Sequence, residues 1–128
     1  MTVDGRRVLV VEDDFFVALE TSDLLKEVGC EIVGPASNLG TALQLAHSER
    51  LDAAVLDIGI RGEMIWPVAE ELVRRKVPII FLSAYSHASM FPKNLAGVPR
   101  LQKPLEADRL LVCLSTIWGG AMSSGADP

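Results

Sequence analysis

Four short apolar runs, RVLVV at 7–11, EIVG at 31–34, DAAVLD at 52–57 and PIIFL at 78–82, alternate with stretches of helical spacing. A run that is apolar at consecutive positions has no polar face, so it is buried on both sides. A sheet covered by helices on both faces provides that burial, and a helix between successive strands makes each crossover parallel. The intervening stretches supply the helices. Residues 15–28 place Phe16, Leu19, Leu24 and Val28 at helical spacing, with Val17 and Leu25 widening the stripe and Gly29 as the stop. Residues 39–48 form a second helix, capped by Ser37 or Asn38, with Ala42, Leu43, Leu45 and Ala46 on its apolar side. Residues 65–75 form a third, with Pro67 in its first turn. Residues 105–118 form the last, carrying Leu110, Leu111, Leu114, Ile117 and Trp118.

Pro35 is expected to close the second strand, and Gly59 and Gly62 to break the loop after the third. A short fifth strand is expected at 98–102. The stretch 83–99 has little periodicity and contains Pro92, Gly97 and Pro99; a short helix near 86–90 is expected there. Residues 119–128, GGAMSSGADP, have the composition of a fraying tail. The expectation is one domain over residues 1–118 and a flexible tail over 119–128. Its fold class is α/β, a flavodoxin-like (βα)5 doubly wound parallel sheet of strand order 2-1-3-4-5.

Charge and cysteine content narrow the function. A net charge of -5 argues against a nucleic-acid binder, which needs a basic face. No apolar run approaches the roughly 18 residues of a membrane span. The start, MTVDGRR, lacks the apolar core of a secretory signal, so a cytoplasmic location is expected. Cys30 and Cys113 have no metal-ligand spacing and read as reduced thiols. His47 and His87 read as surface residues. Of the two tryptophans, Trp118 is the better candidate for a partner contact.

The predicted strand ends carry the chemistry. Glu12, Asp13 and Asp14 follow the first strand, Asp57 ends the third, Ser83 follows the fourth, and Lys103 stands before Pro104. In a parallel α/β sheet the ligand site lies outside the carboxyl ends of the strands, so these residues meet. Carboxylates at such close quarters repel each other unless a cation joins them. Few hard oxygen donors suit Mg2+, which keeps several waters and accepts a phosphate. A carboxylate can also attack phosphorus to give an aspartyl phosphate. Lys103 would then meet the new charge, and Ser83 would offer a hydroxyl. Each signal alone is ordinary: acids start helices, and Lys-Pro pairs sit in loops. The conjunction is what points to reversible phosphorylation of Asp57.

The segments VLVVEDD at 8–14, AAVLD at 53–57, PIIFLSAY at 78–85 and QKPL at 102–105 resemble the receiver domain of two-component response regulators. The resemblance extends to about Trp118. It implies that Asp57 accepts phosphate from a histidine kinase or phosphotransfer protein. It implies a Mg2+ held directly by Asp13 and Asp57, by Glu12 through water, and by the backbone carbonyl of Gly59. It assigns Ser83 as the switch hydroxyl and Lys103 as the phosphate contact, with a cis Lys103–Pro104 bond. Asp14 has no fixed role and reads as a helix start.

Two positions depart from the family pattern. Arg100 stands where an aromatic is usual, three residues before the lysine, and Arg61 where proline is usual, four after the aspartate. The aromatic is instead Tyr85. IIFLSAY and DIGIRGEMIWPVAEEL look like the Phe-Ala-Thr-Gly-Tyr subgroup, often stand-alone receivers of alphaproteobacteria. Phosphorylation is then expected to draw Ser83 inward and to reorder Tyr85 and the segment after it. The resemblance implies output through an unknown protein docking on the fourth helix, fifth strand and fifth helix, or through a homodimer, without enzymatic activity. Competing readings are a phosphate-independent interaction module and a small phosphatase-type hydrolase. The hydrolase would want Asp-x-Asp after the first strand, where this chain has Glu12-x-Asp14. A flavin or nucleotide binder needs a glycine-rich loop there, and EDDFF is the opposite.

Overall fold

A computed structural model describes residues 4–83, 91–103 and 105–126. In chain order the elements are β1 (Arg7–Val11), α1 (Phe15–Glu27), β2 (Glu31–Ala36), α2 (Leu39–Ser48), β3 (Ala53–Asp57), β4 (Gly59–Ile60) and β5 (Glu63–Met64). They continue with α3 (Trp66–Arg74), β6 (Ile79–Ser83), a 3-10 turn at Lys93–Leu95, β7 (Arg100–Gln102) and α4 (Ala107–Ala126). One parallel sheet has the order β2-β1-β3-β6-β7, while β4 and β5 pair only with each other. Leaving that small pair aside, the order is the expected 2-1-3-4-5.

Alternation along each strand divides the core into two layers. Leu9, Val11, Leu56 and Phe81 face α2 and α3, where they meet Ala42, Ala46, Val68 and Leu72. Val8, Val10, Val55, Ile80 and Leu82 face α1 and α4, where they meet Leu25, Leu110, Leu114 and Trp118. The strands therefore need apolar side chains at every position. In register, Val8 lies beside Ile32 and Ala53, and Leu82 beside Leu101.

Four expectations change. The buried face of α1 is Ala18, Thr21, Ser22 and Leu25, whereas Phe16 and Leu19 are 77% and 48% exposed. Periodicity is satisfied by either of two stripes a residue apart, and contact with the sheet selects the one with the smaller side chains. Strand β2 continues through Pro35 to Ala36; it is an edge strand, where a missing ladder N–H is tolerated. The loop after β3 is a hairpin, not an irregular break: Arg61 and Gly62 have φ of 51° and 81° between β4 and β5. Two positive φ values in a two-residue loop are what a type I′ turn requires. The last helix runs to Ala126, past the expected end at Trp118. The helix expected near 86–90 lies outside the described residues.

Candidate functional site

The carboxyl ends of β1, β3, β6 and β7 bring Glu12, Asp57, Ser83 and Lys103 together. Glu12 follows β1, and its N–H donates to the Ala36 carbonyl at 2.9 Å, fixing the turn. Asp57 is the last residue of β3, beside Leu82 of β6. Ser83 ends β6 and is buried; its carbonyl accepts from the Lys103 N–H at 2.7 Å, which ties the end of β7 to β6. Lys103 Nζ then lies 2.9 Å from Glu12 Oε1 and 3.3 Å from Asp57 Oδ2. One ammonium is thus shared by two carboxylates.

The electrostatics are strained by burial. Glu12 is only 2% exposed. Desolvation pushes its carboxyl from the usual 4.5 up to about 7, with the nearby Asp57 charge adding to the rise; the Lys103 ammonium and the Asp14 N–H pull the other way. Burial lowers the proton affinity of Lys103, but Glu12 and Asp57 more than offset it, and the net shift is upward. Lys103 is therefore charged at neutral pH. Its ammonium lies 2.9 Å from the buried Oε1 of Glu12.

Oxygens of Glu12, Asp13 and Asp57 lie within 4.8 Å of one another. Three carboxylates at that spacing, one of them buried, suit a hard divalent cation. Gly59 stands two residues beyond Asp57 at the start of β4.

Sequence reasoning missed what holds Asp13. Its Oδ2 accepts the Arg61 backbone N–H at 2.8 Å, and Arg61 Nε donates to the Ser37 carbonyl at 2.8 Å. Proline could not occupy position 61 here: it has no N–H, and its φ is fixed near -65°, whereas Arg61 has φ 51°. The departure from proline is thus tied to the turn and to the anchoring of Asp13. The R-G dipeptide after a short apolar pair was the available signal. Asp14, by contrast, does what was expected of it. Its carboxylate caps α1, accepting from Phe16 N–H at 2.9 Å and Val17 N–H at 3.2 Å.

Arg100, at the other departure, lies with its guanidinium 4.6 Å from the centre of the Phe91 ring. Phe91 packs in turn on Phe81 and Trp66, at ring separations of 5.0 and 5.1 Å. A cation over a ring thus occupies the region where an aromatic side chain is usual. Tyr85, His87 and Pro104, with the Lys103–Pro104 bond, lie outside the described residues.

Trp118 is a core residue, not a surface contact. It is 9% exposed, its indole N–H donates to the Asp52 carbonyl at 3.0 Å, and Arg6 lies 4.9 Å from the ring centre. The final helix lays its apolar face along the sheet and carries the indole inward. Burial pushes Cys30 up to about 11 and raises Cys113, so both are thiols at neutral pH. His47 is exposed, 3.0 Å from Glu71.

The response regulator receiver domain family matches residues 8–115. Transcriptional regulatory protein PdtaR of Mycobacterium tuberculosis is 29% identical over 109 residues, covering 83% of this chain and 53% of that protein. This chain spans about half the length of such relatives. Among solved structures, SdrG from Sphingomonas melonis Fr1 is 30% identical with a TM-score of 0.78, covering 91% of this chain and 98% of SdrG. The receiver domain of sensor histidine kinase PA1611 from Pseudomonas aeruginosa PAO1 was solved with a magnesium ion coordinated in its active site cleft. It is 24% identical with a TM-score of 0.73, covering 88% of this chain and 96% of that one. Among the described residues no helix is long and apolar enough to cross a membrane.

Proposed function

The chain belongs to the response regulator receiver domain family of two-component signalling, and from that premise we propose that Asp57 is its phosphoacceptor. The observation that carries the proposal is Lys103 Nζ standing 3.3 Å from Asp57 Oδ2 while also pairing with Glu12. A carboxylate oxygen of Asp57 attacks the phosphorus of a phosphohistidine on a histidine kinase or phosphotransfer protein. A P–O bond forms, the P–N bond breaks, and the imidazole leaves with the electron pair and takes up a proton. Lys103 remains beside the acceptor and meets the added negative charge.

Glu12, Asp13, Asp57 and the Gly59 carbonyl are the residues that would hold Mg2+. Bound there, Mg2+ supplies neutralisation of the crowded oxygens and of the incoming phosphoryl group. Arg61 holds Asp13 in position through its backbone N–H. Ser83 turns its hydroxyl toward the phosphoryl oxygens, and Tyr85 is the switch aromatic in place of one at Arg100. The exposed Phe15 and Phe16, directly after the Asp14 cap, offer the donor protein an apolar landing beside the site. The reading includes a cytoplasmic location, residues 1–118 as the receiver unit, and output through a protein partner or homodimer rather than through catalysis by this chain.

The test is intact mass after incubation with Mg2+ and acetyl phosphate. One phosphoryl group, labile to hydroxylamine and absent in Asp57→Asn, is expected. No uptake from acetyl phosphate or from phosphorylated kinases would overturn the reading in favour of a phosphate-independent interaction module.

A further inference from the structure

Arg61 occupies a position that its own backbone does not favour. The turn between β4 and β5 has two residues of positive φ, and asparagine, aspartate and glycine are the residues suited to them. Gly62 meets that preference. Arg61, at φ 51°, holds a left-handed conformation that a Cβ disfavours. A residue kept against its local preference points to a use for its side chain.

Arg61 adjoins a cluster of three carboxylates, yet among the described residues its guanidinium pairs with none of them. Nε donates instead to the Ser37 carbonyl at 2.8 Å. Ser37 follows Ala36, the last residue of β2, whose carbonyl accepts the Glu12 N–H at 2.9 Å. The backbone N–H of Arg61 meanwhile donates to Asp13 Oδ2 at 2.8 Å. The hairpin beneath is closed on the end of β3: the Ile65 N–H donates to the Ile58 carbonyl at 2.8 Å, and Gly59 pairs with Met64. One residue thus ties the segment after Asp57 to Asp13 directly, and to the backbone of Glu12 through Ala36 and Ser37.

We propose that the Arg61 side chain is a positioning element for the divalent cation. Braced on Ser37, it steadies the turn that carries Glu12, while its N–H holds Asp13, so the acids keep a ligand spacing before any metal arrives. The proposal rests on the reading of Glu12, Asp13 and Asp57 as the Mg2+ site. Carboxylate oxygens within 4.8 Å of one another repel, and without a brace they spread. The positive charge of Arg61 acts on Mg2+ in the opposite sense, since like charges repel. The two roles therefore differ in sign. Removing a mere neighbouring cation tightens Mg2+ binding, and removing a brace weakens it.

The experiment compares the full chain with Arg61→Asn and Arg61→Lys, by calorimetric titration with MgCl2 and by amide hydrogen exchange in EDTA. Asparagine suits the turn and keeps the N–H to Asp13, but it cannot reach Ser37, so the melting temperature in EDTA is expected to hold. The Kd for Mg2+ should nevertheless rise about fivefold, the scale of one lost hydrogen bond, and the Glu12 amide should exchange faster by about the same factor. Lysine, whose ammonium can still donate to the Ser37 carbonyl, should restore most of the affinity. An unchanged or lower Kd in Arg61→Asn would overturn the proposal and leave Arg61 as a bystander charge. Absence of Mg2+ uptake by the wild type would overturn the metal reading itself. Glu12 exchange in EDTA then decides the brace alone: faster exchange in Arg61→Asn establishes it, and equal exchange removes it.

Discussion

At the amino end of the sheet, Arg6, Arg7 and Arg50 stand among Glu31, Glu49 and Asp52. At the carboxyl end, Glu12, Asp13 and Asp57 cluster around Lys103. The first group is balanced, three cations to three anions. Arg7 alone contacts Glu31 and Glu49 at 2.6 Å each and donates Nε to the Arg50 carbonyl at 2.8 Å. Arg50 reaches Asp52 at 3.2 Å, and the Asp52 carboxylate also accepts the Arg7 backbone N–H at 2.8 Å. The second group has three carboxylates and one ammonium, and one of its acids is almost wholly buried. Charges at the first end satisfy one another and fasten the start of β1 to its neighbours. Charges at the second end are left with an excess that an added cation, or a proton on Glu12, removes. A balanced network serves the fold, and an unbalanced one is held in place by the fold for something that binds.

The largest expected effect tests the balanced end. Arg7→Met should destabilise the protein by about 1–2 kcal/mol, since it leaves two partly exposed acids and a carbonyl without their shared donor. Urea denaturation should register that loss, while the rise in melting temperature on adding Mg2+ stays as in the wild type. A changed Mg2+ response would break the separation of the two ends.

The next effect is one of pH at the unbalanced end. Glu12 is raised from 4.5 to about 7 in the folded protein. Its contribution to stability without metal is therefore fully present below pH 4.5 and is lost as the pH rises through 7. Melts in EDTA between pH 5 and 8 should show this decline, and Glu12→Gln should remove it. Because metal binding requires the ionised carboxylate, Mg2+ affinity should fall as the pH drops below 7, by up to about tenfold per unit. An affinity flat across this range would show that Glu12 takes no part.

Smaller effects sharpen the contrast. Asp13→Asn keeps an oxygen for the Arg61 N–H but removes one repelling charge. It should stabilise the protein in EDTA by about 0.5–1 kcal/mol and abolish the stabilisation by Mg2+. Arg100→Gln alters a cation that belongs to neither group. The loss of its contact with Phe91 should cost about 0.5–1 kcal/mol and leave Mg2+ binding unchanged.

The unbalanced end was legible in the sequence because its acids follow or end apolar runs and its lysine stands before Pro104, after the short fifth strand. The strand order then brings those ends to one edge. The balanced end was not legible: Arg7, Glu31, Glu49 and Asp52 are unremarkable in sequence and meet only through the pairing of β1 with β2 and β3. Arg61 was noticed as a departure from proline, but its hold on Asp13 is a backbone contact, to which side-chain identity is blind. The face of α1 was misjudged because Phe16 and Leu19 keep the same period as Ala18, Ser22 and Leu25.

The sequence by itself determined the strands, the parallel sheet and the meeting of Glu12, Asp57 and Lys103, since continuous apolar runs demand burial on both faces. Only the tertiary structure decided which side of α1 turns inward and how the loop after Asp57 folds back. Those outcomes depend on the phase of one element against another, and periodicity fixes a repeat without fixing its phase.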